Sequence, residues 1–420
     1  MTVRVVRDGR WRHKIVAAAG AALLVIASGC ASHSASTGSG GVTSSPPSAE
    51  STAEIDTGTA QRLDAVINQA MSAASIPGAI IGVWGPDGRY IRTFGLADKA
   101  TGAPMTVDMY SRIGSETKTF TVTGVLQLAD QGKLGLDDPI GKYIDGVPEG
   151  NQITLRELAR MQSGLYNYSA TTAFQQALFA DPRRSFTPQE LLGYAFAEPP
   201  VFPPGQGFQY SNTNTTLLGL VVEKVSGQPL PDYIRDHVLA PLNMSRTSFP
   251  TTNAFPDPHP QGYTNQTADS GVVTSTDWNP SWGWAAGAMI STLDDLHTWA
   301  PAVATGKLLS PAMQAQRLQT VNAQGLPPQD GYGLGIFNLA GWIGHNGSLP
   351  GYQSVVVYLP EQKRTLVILI NTDIDYHGSE PSSTLATAIT SVISPGHVYS
   401  LSPEVQEPDV TPSSTPTKPR

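Results

Sequence analysis

Cysteine is nearly absent from this chain: Cys30 is the only one in 420 residues, so no intramolecular disulfide can form. Long hydrophobic runs are missing too. The apolar stretch from Ile15 to Ala27 is about 13 residues long, against roughly 20 for a membrane-spanning helix. Beyond the first fourteen residues Lys and Arg form no cluster, and the formal net charge is −8, which argues against a nucleic-acid partner. The eight histidines contain no His-x-His and no His-Glu-x-x-His, so a zinc hydrolase site has no spacing to rest on and no metal or other cofactor is implied. No internal repeat is present.

What is there begins at the ends. Arg4, Arg7, Arg10, Arg12 and Lys14 precede the apolar stretch, which closes on Ile26, Ala27, Ser28, Gly29 and Cys30. A basic start, a short apolar run and small residues form an export signal over residues 1–29. Small residues before a cysteine point to cleavage and lipidation, and a lipidated Cys30 would hold the mature protein at the outer face of the cell membrane, in the envelope. An ordinary secretory peptide with an incidental cysteine is the plainer alternative. Residues 30–54 are rich in Ser, Thr, Gly and Pro, too poor in large apolar side chains to fold, and read as a tether; residues 397–420 read as a disordered tail. Residues 55–396 between them have ordinary globular hydrophobicity and suffice for a large core in two lobes.

Leu63, Val66, Ile67, Ala70 and Met71 recur at helical spacing and predict an amphipathic helix over 59–74. Two β-prone runs, Ala79 to Trp84 and Tyr90 to Leu96, flank Gly85, Pro86, Asp87 and Gly88, a tight-turn sequence. A second hairpin, Tyr352 to Leu359 and Thr365 to Asn371, and a helix from Ser382 to Ile393 mirror this at the far end. Between about 144 and 309 lie helical patterns at 187–196, 214–226 and 293–303. The expected fold is α/β in the α+β sense: one antiparallel sheet built from both chain ends, flanked by N- and C-terminal helices, with a mostly helical insert lobe.

Three short motifs could carry chemistry. In Gly114, Ser115, Glu116, Thr117, Lys118, a helix starting near Ser115 and ending at Gly132 puts Ser115 and Lys118 on one face, next to the unpaired N–H groups of the helix start. A serine hydroxyl needs a base, and a lysine serves only if its surroundings bring its pKa down towards neutrality, about 4 kcal/mol of differential environment. Alone, such a pair is better explained as a helix cap with a solvated lysine. Tyr210 and Asn212 follow a Pro-Gly loop at the entrance to a helix; a phenol can relay a proton and an amide can hold a carbonyl, though a core tyrosine and a capping asparagine are the plain alternatives. Trp342 to Ser348 contains His345, Asn346 and Gly347 on a strand. Gly347 would allow close approach of a ligand, the N–H groups of Ser348 and Ser115 could form an oxyanion hole, and His345 could add charge or share a proton near neutral pH.

Ser-x-x-Lys, Tyr-x-Asn and His-x-Gly in this order resemble the serine beta-lactamase and penicillin-binding superfamily, in its class C branch. Residues Leu128 to Leu134, Ser163 to Tyr166, Tyr210 to Asn214, Ala286 to Ser291 and Tyr332 to Gly335 look closest to the secreted serine D-alanyl-D-alanine carboxypeptidase. The resemblance spans about residues 55–394. It implies acylation of Ser115, proton transfer by Lys118 and Tyr210 to the leaving amine, and a cleft lined by Asn212 and Trp282. It also implies beta-lactams as acylating ligands. Two departures stand out. Where the carboxypeptidase has an arginine gripping the substrate carboxylate, this chain has Phe337, and the hydroxyl donor after the motif histidine is replaced by Asn346, with Ser348 nearby. Three readings follow: a D-alanyl-D-alanine carboxypeptidase acting on peptidoglycan stem peptides; an esterase or beta-lactamase-like hydrolase of a small ester or amide; and a non-catalytic envelope lipoprotein. Ser115→Ala separates the last from the others, since only a hydrolase would lose turnover.

Overall fold

The computed structural model describes residues 53–323 and 326–402. The export signal, Cys30 and nearly all of the expected tether lie outside the described residues, as do residues 403–420. The predicted N-terminal helix forms as α1 (Thr57–Ala73), burying Leu63, Ile67, Ala70 and Met71 along one stripe, with the Asp56 carboxylate accepting from the Thr59 N–H as its N-cap. The strands of the main sheet are β1 (Gly78–Gly85), β2 (Gly88–Asp98), β3 (Ala103–Pro104), β4 (Gly331–Tyr332), β5 (Phe337–Leu339), β6 (Trp342–Leu349), β7 (Tyr352–Leu359) and β8 (Arg364–Ile370). They form one antiparallel sheet in the order β3-β2-β1-β8-β7-β6-β5-β4. The two ends of the chain meet inside the sheet at the β1–β8 pair, with Ile81 opposite Ile368, as expected.

Both faces of the sheet are covered, which explains why β8 is a continuous apolar run rather than an alternating one. Leu366, Ile368 and Ile370 pack with Leu63 and Ile67 of α1 and with Leu385 and Ile389 of the C-terminal helix α5 (Pro381–Ile393). Val367 and Leu369 face the other way, into a core with Phe120 and Val125 of α2 (Thr117–Asp130), Leu217 of α3 (Asn212–Ser226) and Leu296 and Trp299 of α4 (Leu293–Thr305). The helical lobe also holds the helix Pro188–Phe196, and its predicted helices are all present. Gly132, at φ +68°, ends α2 in the left-handed conformation that a helix C-terminus favours for glycine.

The edges of the folded unit extend beyond the predicted 55–396. At the start, the Arg89 N–H donates to the Ala53 carbonyl at 2.8 Å and Glu54 pairs with Arg89, so residues 53 and 54 already belong to β2's edge. At the end, residues 397–402 pack back on the molecule and are not tail. Tyr399 and Leu401 are buried in the α1–α5 core, and the Trp342 indole N–H donates to the His397 carbonyl at 2.6 Å. Their apolar side chains cover a sheet face that α1 and α5 leave open, which composition alone did not reveal. Among the described residues no helix is long and apolar enough to cross a membrane.

Candidate active site

Ser115 lies in a single 3-10 turn, Gly114–Glu116, that runs directly into α2. Two glycines let this turn press against β6. Gly114 has φ +53°, and a Cβ there would lie 2.6 Å from the Ser348 backbone nitrogen. A Cβ on Gly347 would lie 2.0 Å from the Ile113 carbonyl oxygen. The glycine of each motif is therefore the clearance for the other, and the Ser354 hydroxyl, donating to the Ile113 carbonyl at 2.9 Å, pins the turn from β7. Beyond Gly344, β6 has no pairing with β5, so the segment from His345 to Ser348 runs as an open edge beside the nucleophile turn.

Lys118 is fully buried one helical turn from Ser115. Its Nζ donates to Ser115 Oγ at 2.7 Å and to the Ala286 carbonyl at 2.9 Å, and it sits 4.7 Å from the centre of the Tyr210 ring. A lysine so placed can hand a proton to, or take one from, the serine without moving. Tyr210 is buried on the loop before α3, with its ring 5.9 Å from that of His345. Ser115, Lys118, Tyr210 and His345 thus converge, drawn from the α2 start, the α3 entrance and β6.

His345 differs from expectation in its charge. The ring is enclosed by Tyr210, Tyr332 and Phe337, the last at 4.8 Å. Burial, and then the Lys118 charge, push its pKa down to about 3, against an opposing hydrogen bond to the Asn346 carbonyl. It is held as the neutral imidazole and so adds no positive charge beside Lys118. A carbonyl can only accept, so the 2.5 Å contact to Asn346 O fixes the proton on Nδ1, and Nε2 accepts from the Tyr332 hydroxyl at 3.2 Å.

The remaining residues fall into two groups. Asn212 is the first residue of α3; its N–H donates to Asn167 Oδ1 at 3.1 Å and its amide to Ser169 Oγ at 3.2 Å. Trp282 packs on Phe174 and with Leu349, and its carbonyl accepts from the Tyr168 hydroxyl at 2.6 Å; it lines a small cavity with Arg112, Trp278 and Leu349. Asn346 and Phe337 do not present themselves to the cleft as expected. Asn346 pairs in register with Val355, on the α1–α5 side of the sheet, and its amide donates to Glu380 at 2.8 Å. Phe337 is buried beneath His345 as part of the core. Ser348 keeps its place on the β6 edge, its hydroxyl accepting from the Gln353 amide at 3.4 Å.

Two further features were not singled out as functional. Glu116, next to the nucleophile, is wholly buried, accepting from the Trp299 indole N–H at 3.1 Å and the Thr119 hydroxyl at 3.1 Å; burial pushes its carboxyl well above the usual range, with Arg317 opposing. The Ala286 carbonyl holds Lys118, a role any residue type could fill, so sequence gave no signal beyond its place in a recognisable stretch. Among the described residues no group of three or more His, Cys, Asp or Glu could hold a metal ion.

The arrangement agrees with relationships across the chain. Residues 63–387 match the family model described as Beta-lactamase. A D-stereospecific amidohydrolase from Streptomyces sp. is 31% identical, with a TM-score of 0.71, over 80% of this chain and 98% of that one. Protein flp of Staphylococcus aureus is 27% identical over 328 residues, 75% of this chain and 64% of its own length, so the chain spans under two thirds of that relative. Penicillin-binding protein 4* of Bacillus subtilis is 24% identical over 321 residues, 71% of this chain and 68% of its own. With a serine–lysine pair at hydrogen-bond distance in the antiparallel sheet-and-helix fold of these relatives, the chain belongs to the beta-lactamase family of serine hydrolases that work through an acyl-enzyme.

Proposed function

We propose that the protein hydrolyses amides or esters of D-amino acids whose leaving group is uncharged, through an acyl-enzyme on Ser115. The observation that carries this reading is the surroundings of His345: three aromatic rings enclose a neutral imidazole, and Asn346 is drawn away to Glu380, so this end of the cleft offers no guanidinium for a terminal carboxylate. The Streptomyces amidohydrolase supports the D-acyl preference. In the first half-reaction Lys118, as the amine, takes the Ser115 proton while Oγ bonds to the substrate carbonyl carbon. The N–H groups of Ser115 and Ser348 hold the oxyanion. The bond to the leaving amine or alcohol breaks as the proton passes to it from Lys118, by way of Tyr210. Water then adds to the acyl carbon, giving its proton back along the same path, and the acid departs with Ser115 restored.

A second reading is the D-alanyl-D-alanine carboxypeptidase on peptidoglycan stem peptides, with beta-lactams as acylating ligands; the Bacillus penicillin-binding relative favours it. Turnover of D-phenylalaninamide against that of an acylated D-Ala-D-Ala peptide, with Ser115→Ala alongside, separates the two. The amide should be preferred by at least tenfold in kcat/KM. Faster release of the terminal D-Ala, with a stable benzylpenicillin adduct on Ser115 by intact mass, would replace the first reading with the second. Export and lipid attachment at Cys30 complete the proposal, and Cys30→Ser should shift the protein from the membrane fraction to the soluble one.

A further inference from the structure

The Tyr332 hydroxyl and His345 form a contact that the reaction above does not use. Tyr332 is fully buried on β4, with its ring edge-on to Tyr210, Phe337 and His345. Burial pushes its phenol far above the ordinary value, so its O–H stays protonated, and with the imidazole proton held on Nδ1 by the Asn346 carbonyl it donates to Nε2. The other imidazole nitrogen, as Nδ1–H, donates a hydrogen bond to the Asn346 carbonyl on the β6 edge. Both nitrogens are thereby committed within the protein, and the ring is clamped edge-on between β4 and β6. Rotation about its χ2 bond would set a C–H against each partner.

We infer that Tyr332 is a positioning residue that holds His345 as the neutral Nδ1–H tautomer. Its consequence is that His345 acts as an inert wall, and the proton of Ser115 has only Lys118 and Tyr210 to move through. Because Lys118 bears on His345 electrostatically, a charged imidazole would also oppose protonation of the lysine. The inference deepens the proposed acyl-enzyme reading and rests on it only for the kinetic consequence, since the tautomer belongs to the resting protein.

The test uses the full chain, 15N-labelled at histidine, with His345→Gln to assign the resonances. His345 should show one protonated Nδ1 and one acceptor-type Nε2, unchanged from pH 5 to pH 8. In Tyr332→Phe the Nε2 resonance should move towards that of an unbonded acceptor, and the two tautomers should exchange. The acylation burst with p-nitrophenyl acetate should fall about tenfold in rate with KM unchanged. An imidazolium or an Nε2–H tautomer in the wild-type protein overturns the inference, whatever the variant does. So does a Tyr332→Phe protein whose tautomer and acylation rate match the wild type. Failure to hydrolyse D-amino-acid amides, with the wild-type tautomer as described, would count against the proposed substrate alone.

Discussion

Replacing His345 with glutamine should change how stability responds to acid more than stability at neutral pH. The imidazole is buried neutral, with its pKa down at about 3 against 6.5 in the open chain. Below about pH 6.5 the unfolded chain therefore takes up a proton that the folded one refuses, and stability falls as pH drops, until the folded ring is itself protonated near pH 3. Each pH unit in that window is worth about 1.4 kcal/mol. From pH 7.5 to pH 5.0 the window covers one and a half units, so His345 alone should remove about 2 kcal/mol of stability. Glutamine retains a donor and an acceptor of similar reach but does not titrate. Urea unfolding followed by tryptophan fluorescence, for both proteins at pH 7.5 and 5.0, gives the comparison directly. The wild type should lose about 2 kcal/mol more than His345→Gln over that interval. Equal losses would mean that the ring binds its proton as readily folded as unfolded, and the picture of a clamped neutral imidazole would be wrong.

Ser115→Ala should abolish turnover by several orders of magnitude while leaving the urea midpoint within experimental error of the wild type. Lys118→Met removes a buried cation at similar volume; activity should fall at least a thousandfold, and the melting temperature should stay level or rise, as when function has been bought with stability. Gly347→Ala forces a Cβ against the Ile113 carbonyl, where it would lie only 2.0 Å away. Its cost should be about 1–3 kcal/mol in urea unfolding, with turnover falling on the order of a hundredfold as the Ser115 turn is displaced. Asp56→Ala should cost about 1 kcal/mol through the lost α1 cap, with kcat unchanged, because the cap lies on the far side of the sheet from Ser115.

Those predictions divide as legibility did. Helix and strand positions were readable because each carries its own period: Leu63, Ile67, Ala70 and Met71 mark a helix stripe, and the Gly85–Gly88 turn marks a hairpin. Ser115, Lys118 and Tyr210 were readable because three motifs coincided in order and because a helix turn forces residues three apart together. The charge of His345 was not readable. It depends on which rings surround it, and those come from β4, β5 and the loop before α3, brought together only by the fold. Residues 397–402 were misread for a related reason: Tyr399 and Leu401 are two apolar side chains in a Pro- and Ser-rich stretch, and only a sheet face waiting for cover makes them core.

Asn346 shows where such a reading stops and what would extend it. Successive strand residues face opposite sides, so the side chains of His345 and Asn346 leave β6 in opposite directions. His345 pairs with Val356, and its ring meets Tyr210, Tyr332 and Phe337; Asn346 pairs with Val355 and reaches Glu380 at the start of α5. Had the register of β6 on β7 been assigned, the direction of Asn346 would have followed from the sequence. The departures from the carboxypeptidase pattern at 337 and 346 then have one physical content. Phenylalanine fills the space beneath the histidine, and asparagine ties the strand to α5, so both positions stabilise the wall of the cleft where the carboxypeptidase would grip a charge. Under the proposed function, a cleft built in this way would select by the shape and neutrality of the departing group. The first quantity that should reveal it is the ratio of amide to terminal D-Ala release.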